Sequence, residues 1–253
     1  MPRVFLHTTI ALGDVVTIAG DEGHHYSRVL RAQSSEPIAV VGGGVPYLGT
    51  VLTADSRTGE LTVKIESRME PHEPSIRVSV VQGLAKGDKI EEIIEKCTES
   101  GAYRFVIFPS LRSVVRLDDT KLENRLVRWR KVAREAAAQS QRDIVPEVTY
   151  TADKESLLRD LSESARSAVL FLDESENTLG IRQALETIRN DGLVRSIALV
   201  IGPEGGFADE ERDWFRTKIG ALPITLGPRI LRTENAGLMA LSATLYEYGD
   251  MGG

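Results

Sequence analysis

Apolar and polar positions change rhythm once along this chain. Over the first seventy residues, short apolar runs alternate with turn residues, and 4–6, 15–19, 38–41, 47–53 and 61–66 read as strands. Gly42-Gly43-Gly44 and Thr58-Gly59 punctuate them. One helix fits 21–32, with Asp21 as its cap and Val29 and Leu30 facing inward. Several short strands at close spacing suggest a small barrel over residues 1–70. The stretch 67–75 holds Pro71, Pro74 and charged residues, and reads as a linker.

From Ile76 the period lengthens. Residues 76–81 alternate as a strand. Asp88 with Glu91 three residues on predicts a capping box opening a helix. Ile90, Ile93, Ile94 and Cys97 form its apolar stripe, and Gly101 closes it. A strand fits 104–108. Thr120 with Glu123 predicts a second capped helix, with Leu122, Leu126, Trp129 and Ala133 inward and basic residues on its other faces. Strands fit 168–172, 196–201 and 222–226; helices fit 153–164, 179–190, 209–219 and 233–248. This alternation predicts an α/β domain with a mostly parallel sheet over 76–253.

Charge sharpens the picture. The chain of 253 residues carries -6, yet residues 104–143 hold ten Lys/Arg against five Asp/Glu. That leaves -11 on the rest, and a basic segment in an acidic protein is either a solvated helix face or a footprint for phosphates. A single cysteine, Cys97, excludes an intrachain disulfide. No apolar run is long enough to span a bilayer, and the opening residues do not read as a signal peptide, so a cytoplasmic setting without membrane contact is expected.

Familiar catalytic signatures are missing. There is no P-loop, no nucleophile elbow and no dinucleotide fingerprint after the first strand of the second domain. The four histidines have no zinc spacing, so no metal is expected. What stands out is a pair of glycine–proline loops, each following an apolar run. They are Gly202-Pro203-Glu204-Gly205-Gly206-Phe207 and Gly227-Pro228-Arg229-Ile230-Leu231-Arg232-Thr233-Glu234. Loops leaving the carboxyl ends of parallel strands are where ligands bind. Their backbone groups, the apolar Leu226, Ile230 and Leu231, and the charges of Glu204, Glu234, Arg229 and Arg232 suit a flat, heteroaromatic, partly charged ligand. Thr233 can cap the last helix, whose Ala236, Gly237, Ala240 and Ala243 keep one side thin.

These loops resemble the paired motifs of the RsmE-type ribosomal RNA uridine N3-methyltransferases of the SPOUT superfamily. Supporting matches are Met1-Pro2-Arg3-Val4-Phe5, His25 to Arg31, Glu95 to Gly101, Arg112-Ser113, Trp129 and Val145-Pro146-Glu147-Val148. The resemblance implies an N-terminal PUA-like β-barrel for RNA recognition and a C-terminal SPOUT α/β domain with a deep trefoil knot. It implies S-adenosyl-L-methionine as cofactor, held by Leu172, Ile201, Gly202, Pro203, Glu204, Gly205, Gly206, Leu226, Gly227, Ile230, Leu231 and Ala236. It implies a homodimer, and as substrate N3 of a uridine in 16S rRNA within an assembled small subunit. RNA contacts are expected from Arg3, Arg28, Arg31, Arg112, Arg125 and Arg128. Arg232 is the candidate to stabilise charge on the uracil, and Glu204 to orient the nucleotide or accept a proton. The chain departs from the family pattern at Asn235, where Thr is common, at Gln141 and Asp143, where Gly and Asn are usual, and at Ala208, where Asp209 is the alternative cap. The competing readings are a methyltransferase of another RNA, an α/β enzyme with another nucleotide cofactor, and a non-enzymatic RNA-binding protein.

Overall fold

The computed structural model describes residues 3–162 and 166–252. Met1 and Pro2 of the N-terminal match, and the expected helix end at 163–164, lie outside the described residues. The chain forms two compact units, Met1–Glu73 with Ala137–Val145, and Pro74–Ala136 with Pro146–Gly253. The segment Ala137–Val145, read from sequence as part of the second domain, packs with the first.

In the first unit, β1 (Arg3–Leu6), β2 (Val15–Ile18), β3 (Pro37–Gly42), β4 (Val45–Asp55) and β5 (Glu60–Arg68) form one sheet in the order β1-β3-β4-β5-β2. Strands β1 and β3 run parallel; the other pairs are antiparallel. Register shifts in β4 at Leu48/Gly49 and Val51/Thr53 bend it, as bulges do. Among the described residues nothing pairs β1 with β2, so the small barrel expected is a curled half-barrel. Leu61, Val63 and Ile65 alternate inward along β5 onto Val4, Ile18, Val40 and Val51. Burying each such side chain stabilises by about 1.5–3 kcal/mol.

The helix expected over 21–32 is two pieces. Helix α1 (Gly20–His24) runs into a π-turn over His25–Val29, closed by Leu30 N–H on the His25 carbonyl at 3.0 Å. The wider turn shifts the face, so Tyr26 and Ser27 are buried while Val29 and Leu30 are exposed, the reverse of the expectation. Ala19, not Asp21, occupies the cap position.

A charge cluster is buried in this unit. Arg3, with no exposed side-chain surface, pairs with Asp143, and its Nη2 lies 2.6 Å from His72 Nδ1. The His72 N–H donates to Asp143 at 2.6 Å, the Asp143 N–H to Glu73 at 2.7 Å, and Arg142 pairs with Glu73. Arg3 therefore holds the fold and is not available to RNA, correcting the sequence reading. The unusual Asp143 supplies its counter-charge. Gln141 stands at φ +62°, the left-handed region where the family's glycine carries no Cβ penalty. Asp143→Ala would strand a buried guanidinium, and a loss of about 3–5 kcal/mol is expected in urea unfolding.

The second unit contains β6 (Arg77–Gly83), α2 (Lys89–Ser100), β7 (Arg104–Phe108), α3 (Asp119–Gln139), β8 (Glu147–Tyr150), α4 (Lys154–Ser162) and β9 (Ser167–Leu172). It continues with α5 (Ile181–Asp191), β10 (Ser196–Ile201), α6 (Asp209–Trp214), β11 (Leu222–Ile224) and α7 (Thr233–Glu247). The sheet is parallel throughout, in the order β11-β9-β10-β6-β7-β8. β8 is an edge strand with only Val148 well buried, so no alternation announced it. Ile90, Ile93, Ile94 and Cys97 are buried along α2 as expected, and Gly101 ends the helix at φ +111°.

The caps differ from the sequence reading. Asp88 makes no side-chain cap bond, and Glu91 turns inward instead. Asp118 caps α3 by accepting the Lys121 N–H at 2.9 Å, in place of Thr120. Ala208 holds the cap position of α6, where Glu211 accepts its N–H and Asp209 pairs with Arg212. Beyond α6 a π-turn over Phe215–Ile219 interrupts the single helix expected there.

Candidate active site

Three loops leave the carboxyl ends of β9, β10 and β11 on one edge of the parallel sheet. With the start of α7 they enclose a cleft of about 660 Å³. Its lining includes Leu172, Ile201, Gly202, Pro203, Glu204, Gly206, Leu226, Gly227, Ile230, Leu231, Arg232 and Ala236, so the structure brings these sequence candidates together. Gly205 is the exception. It does not line the cleft, and its carbonyl accepts the Arg112 guanidinium at 3.0 Å. A Cβ there would meet Arg112 at 3.1 Å, so substitution at Gly205 would press on Arg112 and not on a ligand.

The first loop is fixed at both ends. Phe207 is buried against Phe171 and Phe215, with ring centroids at 5.0 and 5.4 Å. The Gly202 carbonyl accepts the Thr233 hydroxyl at 2.7 Å and Gln82 Nε2 at 3.2 Å, and Gln82 also donates to Thr233 Oγ1 at 2.9 Å. Thr233 thus ties the two glycine–proline loops together; Arg232 takes the cap position of α7. Where β6 ends, a Cβ on Gly83 would stand 2.7 Å from Pro203 Cδ, so only glycine admits this approach.

Lys89 joins the loop carboxylates Glu204 and Glu234, a pairing that no motif indicated. Its ammonium lies 3.3 Å from Glu204 and 3.2 Å from Glu234. Partial burial alone would raise the Glu204 carboxyl. Its own N–H, the Lys86 N–H and the Lys89 ammonium outweigh that and hold it below the usual range. Glu234 is lowered too, where burial is outweighed by its own N–H, Lys89 and Arg232. Lys89 is raised, because the two carboxylates overcome its desolvation. Both carboxylates therefore contribute above the ordinary carboxylate pKa, and that contribution is lost as pH falls through their lowered values. Lys89 contributes below the ordinary lysine pKa and loses its part as pH rises through its raised value. The triad is intact at neutral pH. Lys89→Met is expected to lower Tm by about 2–4 °C at pH 7, the shift for about 1 kcal/mol in a chain of this size. The difference from wild type should shrink in acid, where both carboxyls are protonated.

The loop after β9 was also missed. Asp173 is buried and pairs with Arg212 at 3.1 Å and Arg216 at 3.3 Å. The Thr178 hydroxyl, then the Thr178 and Leu179 N–H groups, pull the Glu176 carboxyl down to about 2. Cys97 is fully buried, which pushes its thiol up to about 12, so it is core and not a nucleophile.

The expected RNA contacts separate. Arg28 donates to the Ser56 and Arg57 carbonyls at 2.6 and 2.7 Å. Arg31 is exposed at φ +55°. Arg125 and Arg128 lie 3.0 and 3.2 Å from the buried Glu91 and clamp α3 to α2, so the basic helix is internally neutralised there.

A parallel sheet with a cleft at its carboxyl edge, apolar walls, backbone-rich loops and paired charges defines an α/β enzyme for a nucleotide-like ligand. Residues 72–245 match the model of the RNA methyltransferase domain family. The ribosomal RNA small subunit methyltransferase E of Bacillus subtilis is 36% identical over 98% of this chain and 97% of its own. That of Mycobacterium bovis is 35% identical, covering 94% and 89%. The crystal structure of a ribosomal RNA small subunit methyltransferase E from Neisseria gonorrhoeae bound to S-adenosyl methionine superposes with a TM-score of 0.81 at 26% identity, over 96% of each chain. The chain belongs to this RNA methyltransferase family.

Proposed function

We propose that this protein methylates N3 of a uridine in 16S rRNA of the small ribosomal subunit, using S-adenosylmethionine. The observation carrying the reading is the cleft built by the two glycine–proline loops, together with the small-subunit methyltransferases matched over nearly their full length. The cleft fits the cofactor. Leu172, Ile201, Leu226 and Leu231 offer apolar walls for an adenine ring, and a Cβ on Gly227 would meet nothing within 4 Å beyond its chain neighbours. Glu204 on the cleft wall puts negative charge beside the space a sulfonium needs, and Lys89 joins it to Glu234. When bound, the cofactor supplies an electrophilic methyl group.

This chain's residues then have two tasks. The uridine N3–H is a weakly acidic imide and must lose its proton, here to solvent, and N3 lies on the Watson–Crick edge, so the base arrives unpaired or flipped. Arg232 is exposed at the cleft and, among the described residues, neither a hydrogen bond nor an ion pair engages its guanidinium. We assign it the charge developing on the uracil oxygen. Glu204 is engaged by Lys89 and held ionised well below the pKa of an imide, so its role is to orient and not to accept the proton.

The finer fold is part of this proposal: a PUA-like first domain recognising RNA, and a SPOUT second domain in a trefoil knot. Support for the knot is that α7, reached from edge strand β11, packs back on β10 and β6. A homodimer is supported by the apolar face α7 leaves exposed at Met239 and Tyr246. Among the described residues no helix is long and apolar enough to cross a membrane; with a ribosomal substrate, we read the location as cytoplasmic. Mapping methylated uridines in small-subunit RNA from cells with and without the gene tests the reading. One N3-methyluridine should vanish with the gene; an unchanged map would sink it.

A further inference from the structure

The cations of α3 are largely occupied. Besides Arg125 and Arg128, Lys121 pairs with Asp118, Lys131 with Glu135, and Arg130 donates to the Val148 carbonyl. A different set is not. Lys86 and Arg116 are exposed, and among the described residues their charged ends have no hydrogen bond or ion pair. Arg112 is exposed too and gives one N–H to Gly205.

Hydrogen bonds bring these three together. The Ser113 hydroxyl donates to the Leu84 carbonyl at 2.8 Å, and Arg125 returns to the Gly87 carbonyl at 3.2 Å, so the stretch carrying Arg116 lies against the turn carrying Lys86. The Lys86 N–H donates to Glu204 at 3.2 Å, and Arg112 reaches Gly205. The turn 84–88, the loop 110–118 and the first glycine–proline loop therefore meet in one rim beside the cleft, which it reaches at Glu204. Two large apolar side chains stand exposed on that rim, Leu111 at 52% and Val114 at 82%.

We propose that Lys86, Arg112 and Arg116 hold phosphates of the RNA strand that delivers its base to the cleft, with Leu111 and Val114 against an unstacked base. This rests on the reading of the protein as a ribosomal RNA methyltransferase. Free cations match the phosphates, and exposed apolar side chains match the base faces of single-stranded RNA. Because Arg112 also holds Gly205, phosphate binding on the rim and the position of the cofactor loop are coupled, and such coupling is reciprocal.

The test is the salt dependence of full-length protein binding to unmodified 16S rRNA. In K86A/R116A the log–log slope should flatten by about 1.4, at about 0.7 for each single-strand phosphate no longer neutralised. Both substitutions keep the backbone bonds, and S-adenosylmethionine should still raise Tm, showing a folded cleft. K131A, on α3, should keep the wild-type slope. A K86A/R116A slope equal to a steep wild-type slope would overturn the inference, as would an equal flattening in K131A. A wild type that neither binds this RNA nor methylates small subunits would overturn the methyltransferase reading itself.

Discussion

Arg232→Ala is expected to cut the single-turnover methylation rate by about a hundredfold or more, the scale seen when one transition-state donor is lost. The alternative role for Arg232 is an ion pair with Glu204 or Glu234 to hold the loops. Lys89 performs that task, within 3.3 Å of both carboxylates. Arg232 contributes to the fold through its backbone, whose carbonyl accepts the Asn235 and Ala236 N–H groups, and alanine keeps these. Cofactor affinity should therefore change little. Lysine should rescue only in part, since a point charge does not reproduce the planar fork. The rate is measured with saturating cofactor on undermethylated small subunits. Wild-type rates in R232A, or a decline explained by unfolding, would return Arg232 to a structural role.

Gly206→Val is expected to abolish stabilisation by S-adenosylmethionine. A ligand binding only the folded state adds RT ln(1 + [L]/Kd), about 2.7 kcal/mol at a hundredfold excess over Kd. Gly206 lines the cleft at φ +63°, a conformation that costs a β-branched residue about 1–3 kcal/mol. Its Cβ would stand 2.7 Å from Glu174 Oε1, so the valine would displace that exposed carboxylate and fill cleft space. In Gly205→Val the side chain would meet Arg112 outside the cleft, so the shift should persist, weakened only through the Arg112 contact to this loop. Thermal shift against cofactor concentration distinguishes them. A full shift in folded G206V would remove this loop from the cofactor site.

Much of this protein was legible in one dimension. Period-two runs such as Leu61–Val63–Ile65 and the stripe Ile90–Ile93–Ile94–Cys97 found their elements because burial imposes a local rhythm. The glycine–proline loops announced the cleft because close backbone approach at Gly202 and a left-handed backbone at Gly206 favour that residue type. What the tertiary structure alone decided are pairings between distant residues. Lys89 bridges Glu204 and Glu234, Asp143 receives Arg3, and Glu91 takes Arg125 and Arg128. The caps read at Asp88, Thr120 and Thr233 failed for a related reason: a capping pattern is local, but Glu91 and Thr233 found partners elsewhere in the fold. The π-turns after His24 and Trp214 add a residue to a helical turn without changing composition, so they turned Val29 and Leu30 outward unannounced. Hydrophobic pattern specifies which face is buried; which charge meets which is specified only once the strands are in register and the loops have converged on one edge of the sheet.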